Sequence, residues 1–110
     1  MFAIEAKLKK VNGVQVETFQ RDVEDGNVCL QVEAGTTGYK GGCCRNAGGR
    51  TFVRIDCVSG DFYFSPIRDE KKRHVGIVIA ACGDDELNAM IKALDFCRDA
   101  LNDQRCEVDG

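Results

Sequence analysis

Three runs of alternating apolar and polar residues follow one another along residues 2–33. The runs cover residues 2–9, 14–19 and 28–33, and apart from Thr18 every second side chain in them is apolar. A period of two is typical of strands that have one buried face. The dipeptides Asn12-Gly13 and Asp25-Gly26 separate the runs, and both favour tight hairpin turns. This part of the chain therefore predicts an antiparallel meander of three strands.

Further strand signals follow in the second half of the chain. Residues 51–57 and 62–67 are predicted strands, and Pro66 indicates a strand end or a sheet edge because it has no backbone N–H. The charged residues 68–73 predict a solvated turn. Residues 74–82 are apolar at nearly every position, which predicts a central strand that is covered on both faces.

A helical period replaces the strand period toward the C-terminus. Acidic residues at positions 84–86 favour a helix start, and we expect the helix to cover residues 85–103. Its predicted apolar stripe consists of Leu87, Met90, Ile91, Leu94, Cys97 and Leu101. The fold class is therefore α+β, a mainly antiparallel sheet of five or six strands with one C-terminal helix packed on it. We expect residues 1–110 to form a single domain with a frayed tail at 104–110.

Composition excludes several classes of protein. No apolar run approaches the roughly 20 residues that span a bilayer, and the N-terminus lacks the order of a signal peptide, so we expect a cytoplasmic protein and no membrane contact. The formal net charge of −3 disfavours general nucleic-acid binding. Seven cysteines without a CxxC pair disfavour both a disulfide framework and a zinc site. Four of these cysteines are expected to be small core residues: Cys29, Cys57, Cys82 and Cys97.

A glycine-rich segment at residues 35–50 interrupts the strand pattern. It contains six of the 12 glycines, and residues 34–55 carry four cations and no acid. Glycine allows backbone amides to approach an anion closely, and a long irregular loop is usually functional or mobile. Hydroxyl, guanidinium, ammonium and aromatic groups accompany these glycines. The candidate ligand-binding residues are Thr36, Thr37, Tyr39, Lys40, Arg45, Arg50, Phe52 and Arg54.

Strand alternation places three of these candidates on one face. Arg50, Phe52 and Arg54 are two residues apart, so two guanidiniums would flank an aromatic ring. Such a set can hold a nucleotide by stacking and by phosphate contact. Two alternatives remain: Phe52 belongs to the core and the arginines pair with acids, or the loop contacts another protein. Neither the Walker nor the dinucleotide-binding glycine motif is present.

The sequence favours binding over catalysis. The single histidine, His74, is expected at a strand start, and Cys43 or Cys44 would need an oriented base to act as a nucleophile. We therefore predict no catalytic residue, no metal ligand and no cofactor. A small hydrolase acting on a nucleotide is the less favoured alternative.

The stretches 32–42 (VEAGTTGYKGG), 48–55 (GGRTFVRI) and 82–87 (CGDDEL) carry a resemblance to a known group. They resemble small uncharacterised proteins of prophages and other mobile elements in Gram-positive bacteria. The resemblance implies a phage protein that counters host defence, similar in general plan to the Thoeris and CBASS anti-defence sponges. The expected function is sequestration of a phosphate-bearing, nucleotide-type immune signal by a homodimer or larger homo-oligomer. The alternative is a protein–protein inhibitor of a host defence complex, similar to anti-CRISPR proteins, acting through residues 68–74 or an acidic surface.

Overall fold

A computed structural model of the chain describes residues 4–38 and 49–108, apart from the side chains of residues 105–108. The described part contains six strands and one helix. In chain order these are β1 (Glu5–Val11), β2 (Val14–Asp25), β3 (Val28–Thr36), β4 (Thr51–Ser59), β5 (Tyr63–Arg68), β6 (His74–Ala80) and α1 (Asp84–Val108).

The first four strands form one antiparallel sheet in the order β1-β2-β3-β4. Asn12 and Gly13 both have positive φ angles, 48° and 83°, as a two-residue hairpin turn between right-twisted strands requires. Gly26, with φ 59°, turns the chain between β2 and β3. The predicted meander is therefore confirmed, and β4 joins it beside β3 after the glycine-rich loop.

The core lies between this sheet and α1. On β3 the side chains of Leu30, Val32 and Ala34 are buried, and they belong to one apolar cluster with Ala89 and Ala93 of the helix. The small alanines let the helix axis approach the sheet closely. The predicted α+β class, with antiparallel strands and one C-terminal helix packed on the sheet, is confirmed.

Only part of the predicted stripe meets the sheet, because Met90, Cys97 and Leu101 pack at the core whereas the other three residues face outward. Ala89, Ala93 and Cys97 are buried, whereas Leu87 and Leu94 are exposed although they belong to the predicted stripe. Periodicity alone identifies apolar positions, but it does not distinguish the face that packs within the chain from a second apolar face. The helix also continues to Val108, beyond the predicted end at residue 103, and Gln104 is buried rather than frayed.

Strands β5 and β6 form a separate antiparallel hairpin. The prediction that residues 74–82 form a central strand covered on both faces was wrong, because β6 pairs only with β5 in the described chain and its side chains are largely exposed. Asp69 orders the turn at the tip, where its carboxylate accepts hydrogen bonds from the backbone N–H groups of Lys71 and Arg73, both at 2.9 Å. The charged segment is thus a solvated turn, as predicted.

The resulting molecule is a thin plate. Its principal extents are 43 × 42 × 17 Å, and its radius of gyration is 15.5 Å. A compact domain of this length has a radius of gyration of about 13 Å. The hairpin thus extends the molecule sideways instead of adding a layer to the core.

Candidate functional site

The glycine-rich loop leaves and rejoins the sheet through a closed neck. The backbone N–H of Thr37 donates to the carbonyl of Arg50 at 3.0 Å, and the backbone N–H of Arg50 donates to the Thr37 hydroxyl at 2.9 Å. The Thr36 hydroxyl accepts from the N–H of Gly38 at 3.0 Å and lies 2.9 Å from the Thr51 hydroxyl. Both predicted threonines therefore build the neck, and the Thr36 hydroxyl is engaged on two sides.

Gly49 is required because the two segments of the neck, residues 37–38 and 49–50, are in close contact. A Cβ at this position would lie 2.3 Å from the carbonyl oxygen of Gly38 and 2.9 Å from the Thr37 hydroxyl. Backbone atoms cannot move aside as the end of a long side chain can. The glycine pattern in the sequence thus has a structural role here, besides the anion-binding role that was predicted.

The C-terminal part of the helix fixes the same neck from the other side. The buried side chain of Gln104 accepts from the backbone N–H of Thr36 at 3.0 Å and donates to the carbonyl of Glu17 at 2.8 Å. One amide therefore links α1, β2 and the end of β3. Because of this link, the geometry of the neck depends on the packing of the helix.

Phe52 and Arg54 lie together on the face of the sheet opposite the helix. Phe52 pairs with Gly35, and Arg54 pairs with Glu33. These two partners flank Ala34 of β3, whose side chain faces the helix, so Phe52 and Arg54 face the opposite side of the sheet. Thr36 follows Ala34 by two residues and therefore faces the helix side. The structure thus brings Phe52 and Arg54 together and separates them from the side chain of Thr36.

Lys9 of β1 joins Phe52 on this face. The Lys9 ammonium lies 6.0 Å from the centroid of the Phe52 ring, at the outer limit of a cation–π contact. Because two strands separate β1 from β4, the two side chains lean toward each other across β2 and β3. We call Lys9, Phe52 and Arg54 the cation–aromatic shelf.

A buried carboxylate lies in the sheet beneath this shelf. Glu33 is 3% exposed, and it accepts a hydrogen bond from the fully buried hydroxyl of Thr18. The ammonium of Lys9 lies 3.8 Å from the Glu33 carboxylate. A buried charge is stable only when it is paired and hydrogen-bonded, and these two partners meet that need. Glu33 thereby holds Lys9 in position over the sheet.

The Arg54 guanidinium is engaged by a neighbouring acid. Its Nε lies 3.0 Å from Oδ2 of Asp56, and both side chains are partly exposed. This pairing corresponds to one of the alternatives from the sequence, an arginine neutralised by a carboxylate. Exposed ion pairs of this kind contribute about 0–1 kcal/mol, so an anionic ligand can compete for the guanidinium at little cost.

The other predicted site residues have different positions. Arg50 is half-buried at the neck, where its Nη1 donates to the Gly49 carbonyl at 3.2 Å. Tyr39, Lys40 and Arg45 lie outside the described residues, and their predicted roles remain predictions. Cys43 and Cys44 lie outside them as well.

Sequence reasoning missed Lys9, Glu33 and Thr18. Each belongs to a strand whose alternating pattern was recognised, but Lys9 and Glu33 were assigned to the polar side of their strands and Thr18 was given no polar role. The register of the strands could have identified them. Once β2 pairs with β3, Thr18 lies opposite Gly35 and therefore close to Glu33 on the same face. A charged residue at the centre of a four-stranded sheet needs partners on the neighbouring strands.

The cysteines differ in exposure. Cys29 and Cys97 are buried, Cys57 is half-buried and Cys82 is exposed, and all four carry free thiols. The prediction that all four are core residues was thus wrong for Cys82, which follows β6 outside the core. Burial raises the pKa of the Cys97 thiol, and burial followed by the nearby carboxylates of Asp22 and Glu24 raises the pKa of Cys29.

Two further observations concern metals and membranes. In residues 4–38 and 49–108, no group of three or more histidine, cysteine or acidic side chains is arranged to hold a metal ion. Within the same ranges, no helix combines the length and apolarity that a bilayer crossing requires.

Comparison with protein-family models, with curated proteins and with solved structures found no match to this chain. The site must therefore be interpreted from its own residues.

Proposed function

We propose that this protein is a non-catalytic binding protein that sequesters a phosphate-bearing, nucleotide-type ligand at the cation–aromatic shelf. The observation that carries the proposal is the arrangement of Lys9, Phe52 and Arg54 on one face of the sheet, next to the neck of the glycine-rich loop. A planar base would stack on the Phe52 ring, and the phosphate would contact the ammonium and the guanidinium.

Charge supports an anionic ligand at this place. Residues 34–55 carry four cations and no acid in a chain whose formal net charge is −3. On the shelf itself, Lys9 is held in place by the buried Glu33, whereas Arg54 pairs with the partly exposed Asp56. An exposed pair of this kind contributes about 0–1 kcal/mol, so a ligand phosphate would displace Asp56 at little cost.

The distribution of reactive groups supports retention without turnover. His74, the single histidine of the chain, lies in β6 of the hairpin, whereas the shelf lies on β1 and β4 of the other sheet. An imidazole on a separate sheet does not serve the shelf as a general base, and the two carboxylates there are engaged in ion pairs. Binding without chemistry is then the simplest use of the site.

The biological role belongs to the same proposal. The resemblance of the three glycine- and acid-containing stretches to prophage proteins implies that the ligand is a host immune signal, of the cyclic-nucleotide or ADP-ribose-derived type. The protein would act in the host cytoplasm as a homodimer or larger homo-oligomer and protect the phage by lowering the free concentration of the signal.

The experiment begins with untargeted mass spectrometry of small molecules released by heat from the purified protein. Candidate signals are then titrated calorimetrically into the wild type and into Phe52→Ala and Arg54→Ala. We expect each variant to bind at least about 5-fold more weakly, since a stacked base or a charge-assisted contact is worth roughly 1–3 kcal/mol.

Two variants serve as matched controls. Arg98→Ala removes an exposed arginine of the helix that also pairs with acids, and it should bind as the wild type does. Phe52→Leu keeps an apolar side chain but no aromatic face, so it distinguishes stacking from simple burial. Release of a consistently altered ligand would overturn the non-catalytic assignment, and equal affinity of all variants would exclude the shelf.

A further inference from the structure

The β5–β6 hairpin exposes apolar side chains on both of its faces. Because the strands pair Tyr63 with Ala80 and Pro66 with Ile77, the large exposed residues divide between the two sides. Ile77, for example, is 61% exposed. The exposed large apolar residues of the hairpin are Tyr63, Ile67, Val75, Ile77 and Val78.

A two-stranded hairpin of this kind needs a cover. Isolated hairpins are marginally stable in water, and an uncharged, apolar edge strand is prone to pair with another chain. Residues 75–80 of β6 contain no charged side chain, and in the described chain β6 has a strand partner on one side only. The exposed part of the hairpin therefore has the properties of an interaction surface.

The helix presents an apolar groove beside the base of the hairpin. Leu87, Ile91 and Leu94 are spaced by four and three residues, and each is about half-exposed, with Leu87 at 55%. Together with Ala81 and Met90 they line a groove of about 590 Å³. The core-facing alanines of the helix lie on a different side, so this groove is a second apolar face of α1.

We propose that a second copy of this chain covers both surfaces, with the hairpin of each copy seated in the helix groove of the other. The two copies would be related by a twofold axis. Each hairpin would then occupy the groove of the other copy, and neither surface would remain free for a third copy. The two surfaces are neighbours along the chain and share their apolar character. Within the described chain, the large exposed residues of both surfaces lie outside the buried core cluster.

The available area fits such a dimer. Only one face of the hairpin can enter the groove, so at roughly 90 Å² each the residues of the Ile77 face and the groove offer on the order of 450 Å² of apolar area per copy. Stable interfaces bury about 800 Å² per partner, and a little over half of that area is apolar. Exposed apolar patches above a few hundred Å² generally mark an interaction surface.

Charge complementarity indicates the relative direction of the two copies. The tip of the hairpin carries Arg68, Lys71, Lys72 and Arg73 against two acids, whereas Asp84 lies in the wall of the groove at the start of the helix. Asp69 is already engaged by Arg73 at 2.9 Å, which leaves the tip basic. An antiparallel arrangement brings the basic tip of one hairpin to the acidic helix start of the partner.

Sedimentation equilibrium of the full chain tests the proposal. The wild type should be a dimer, whereas Ile77→Asp and Leu87→Asp should weaken dimerisation by roughly 100-fold or more, because each buries an unpaired charge at the interface. Both side chains are exposed within one copy, so folding should be retained and is checked by circular dichroism. The matched control is Leu8→Asp on β1, at a leucine that is 65% exposed, and it should remain dimeric.

A charge exchange tests the direction of packing. Asp84→Lys and Lys72→Glu should each weaken the dimer, and the double variant should recover most of the loss. Absence of recovery would contradict the antiparallel arrangement. A wild type that is monomeric at all accessible concentrations, or an Ile77→Asp variant that dimerises normally, would overturn the interface itself.

The interface deepens the proposed homo-oligomer, but it does not depend on the ligand. Phe52→Ala should dimerise normally, because Phe52 lies on the other sheet. A dimer that retains no ligand would remove the proposed function and leave the interface intact. A monomeric wild type that still retains its ligand would overturn the interface and leave the proposed ligand binding intact.

Discussion

The carboxylate of Glu86 accepts a hydrogen bond from the backbone N–H of Asp61 at 2.6 Å, across 25 positions of the chain. Its second oxygen accepts from the N–H of Cys82 at 2.7 Å. Asp61 precedes β5 and Cys82 follows β6, so a single side chain in the first turn of the helix joins both stems of the hairpin. Glu86 is only 4% exposed, and the hairpin is thereby anchored to α1 at its base.

Replacement of this anchor should destabilise the fold. Glu86→Gln keeps one acceptor oxygen but turns an NH₂ group toward a backbone donor, so we expect a loss of about 1–3 kcal/mol in the free energy of unfolding. Urea denaturation measures it. Glu70→Gln, at the exposed tip of the hairpin, is the control and should stay within about 0.5 kcal/mol of the wild type. Equal midpoints for the two variants would show that the anchor is dispensable.

Gln104 should be as important as a core residue. Gln104→Ala leaves the N–H of Thr36 and the carbonyl of Glu17 without their side-chain partner, and we expect a loss of about 1–3 kcal/mol. Asn102→Ala, on the exposed side of the same helix, should have little effect. Hydrogen exchange adds a local measurement: the amide of Thr36 should exchange faster in Gln104→Ala, and unchanged protection would contradict the assigned link.

Thr18 should be required for its hydroxyl and not for its shape. Thr18→Val keeps the branched side chain but removes the hydrogen bond to the buried Glu33 carboxylate, at an expected cost of about 1–3 kcal/mol. Thr18→Ser keeps the hydroxyl and should be the less destabilised of the two. Thermal unfolding of both variants decides the question, and the reverse order would indicate that packing dominates.

Asp56→Asn should strengthen anion binding at the shelf. The substitution removes the carboxylate that competes with a ligand for the Arg54 guanidinium. The binding free energy should become more favourable by about 0–1 kcal/mol, which raises the affinity by up to roughly 5-fold. Calorimetric titration with inorganic phosphate or a nucleotide signal measures the change. Asp95→Asn, beside Arg98 on the helix, is the matched control. Weaker binding by Asp56→Asn would mean that Asp56 positions the arginine more than it competes for it.

The buried thiols of Cys29 and Cys97 should react slowly with alkylating reagents, and at neutral pH they should add to the free energy of unfolding. Because the folded-state pKa values of Cys29 and Cys97 are raised, their stabilising contribution is complete below the ordinary thiol pKa and is lost as pH rises toward the folded value. Among the four cysteines whose side chains the structure describes, iodoacetamide labelling followed by peptide mass spectrometry should therefore modify Cys82 first and the two buried thiols last. Early modification of Cys97 would contradict the packing of the helix on the sheet.

Local patterns predicted most elements because their causes are local. Asn12-Gly13 favours a hairpin turn wherever it occurs, and the acids at positions 84–86 favour a helix start in any context. The face of the helix that packs inward was not predictable in this way. The sequence allows either Leu87 or Ala89 to face the sheet. In the structure Ala89 faces it, because α1 lies close to β3 and leaves room only for a small side chain.

The candidate site was predicted only in part for a similar reason. Phe52 and Arg54 lie two residues apart on one strand, so their common face follows from the sequence. Lys9 reaches the Phe52 ring from a strand that is more than 40 residues earlier in the chain, and only the order of the four strands brings the two together.

The sequence by itself determined the α+β class, the turns and the position of the glycine-rich loop, because alternation, turn chemistry and helix capping act over a few neighbouring residues. Tertiary structure decided that β5 and β6 leave the main sheet, that Glu33 is buried beneath the shelf, and that Leu87, Ile91 and Leu94 face outward. Each of these depends on which distant segments share a limited packing surface, and that competition is settled only when the whole chain folds.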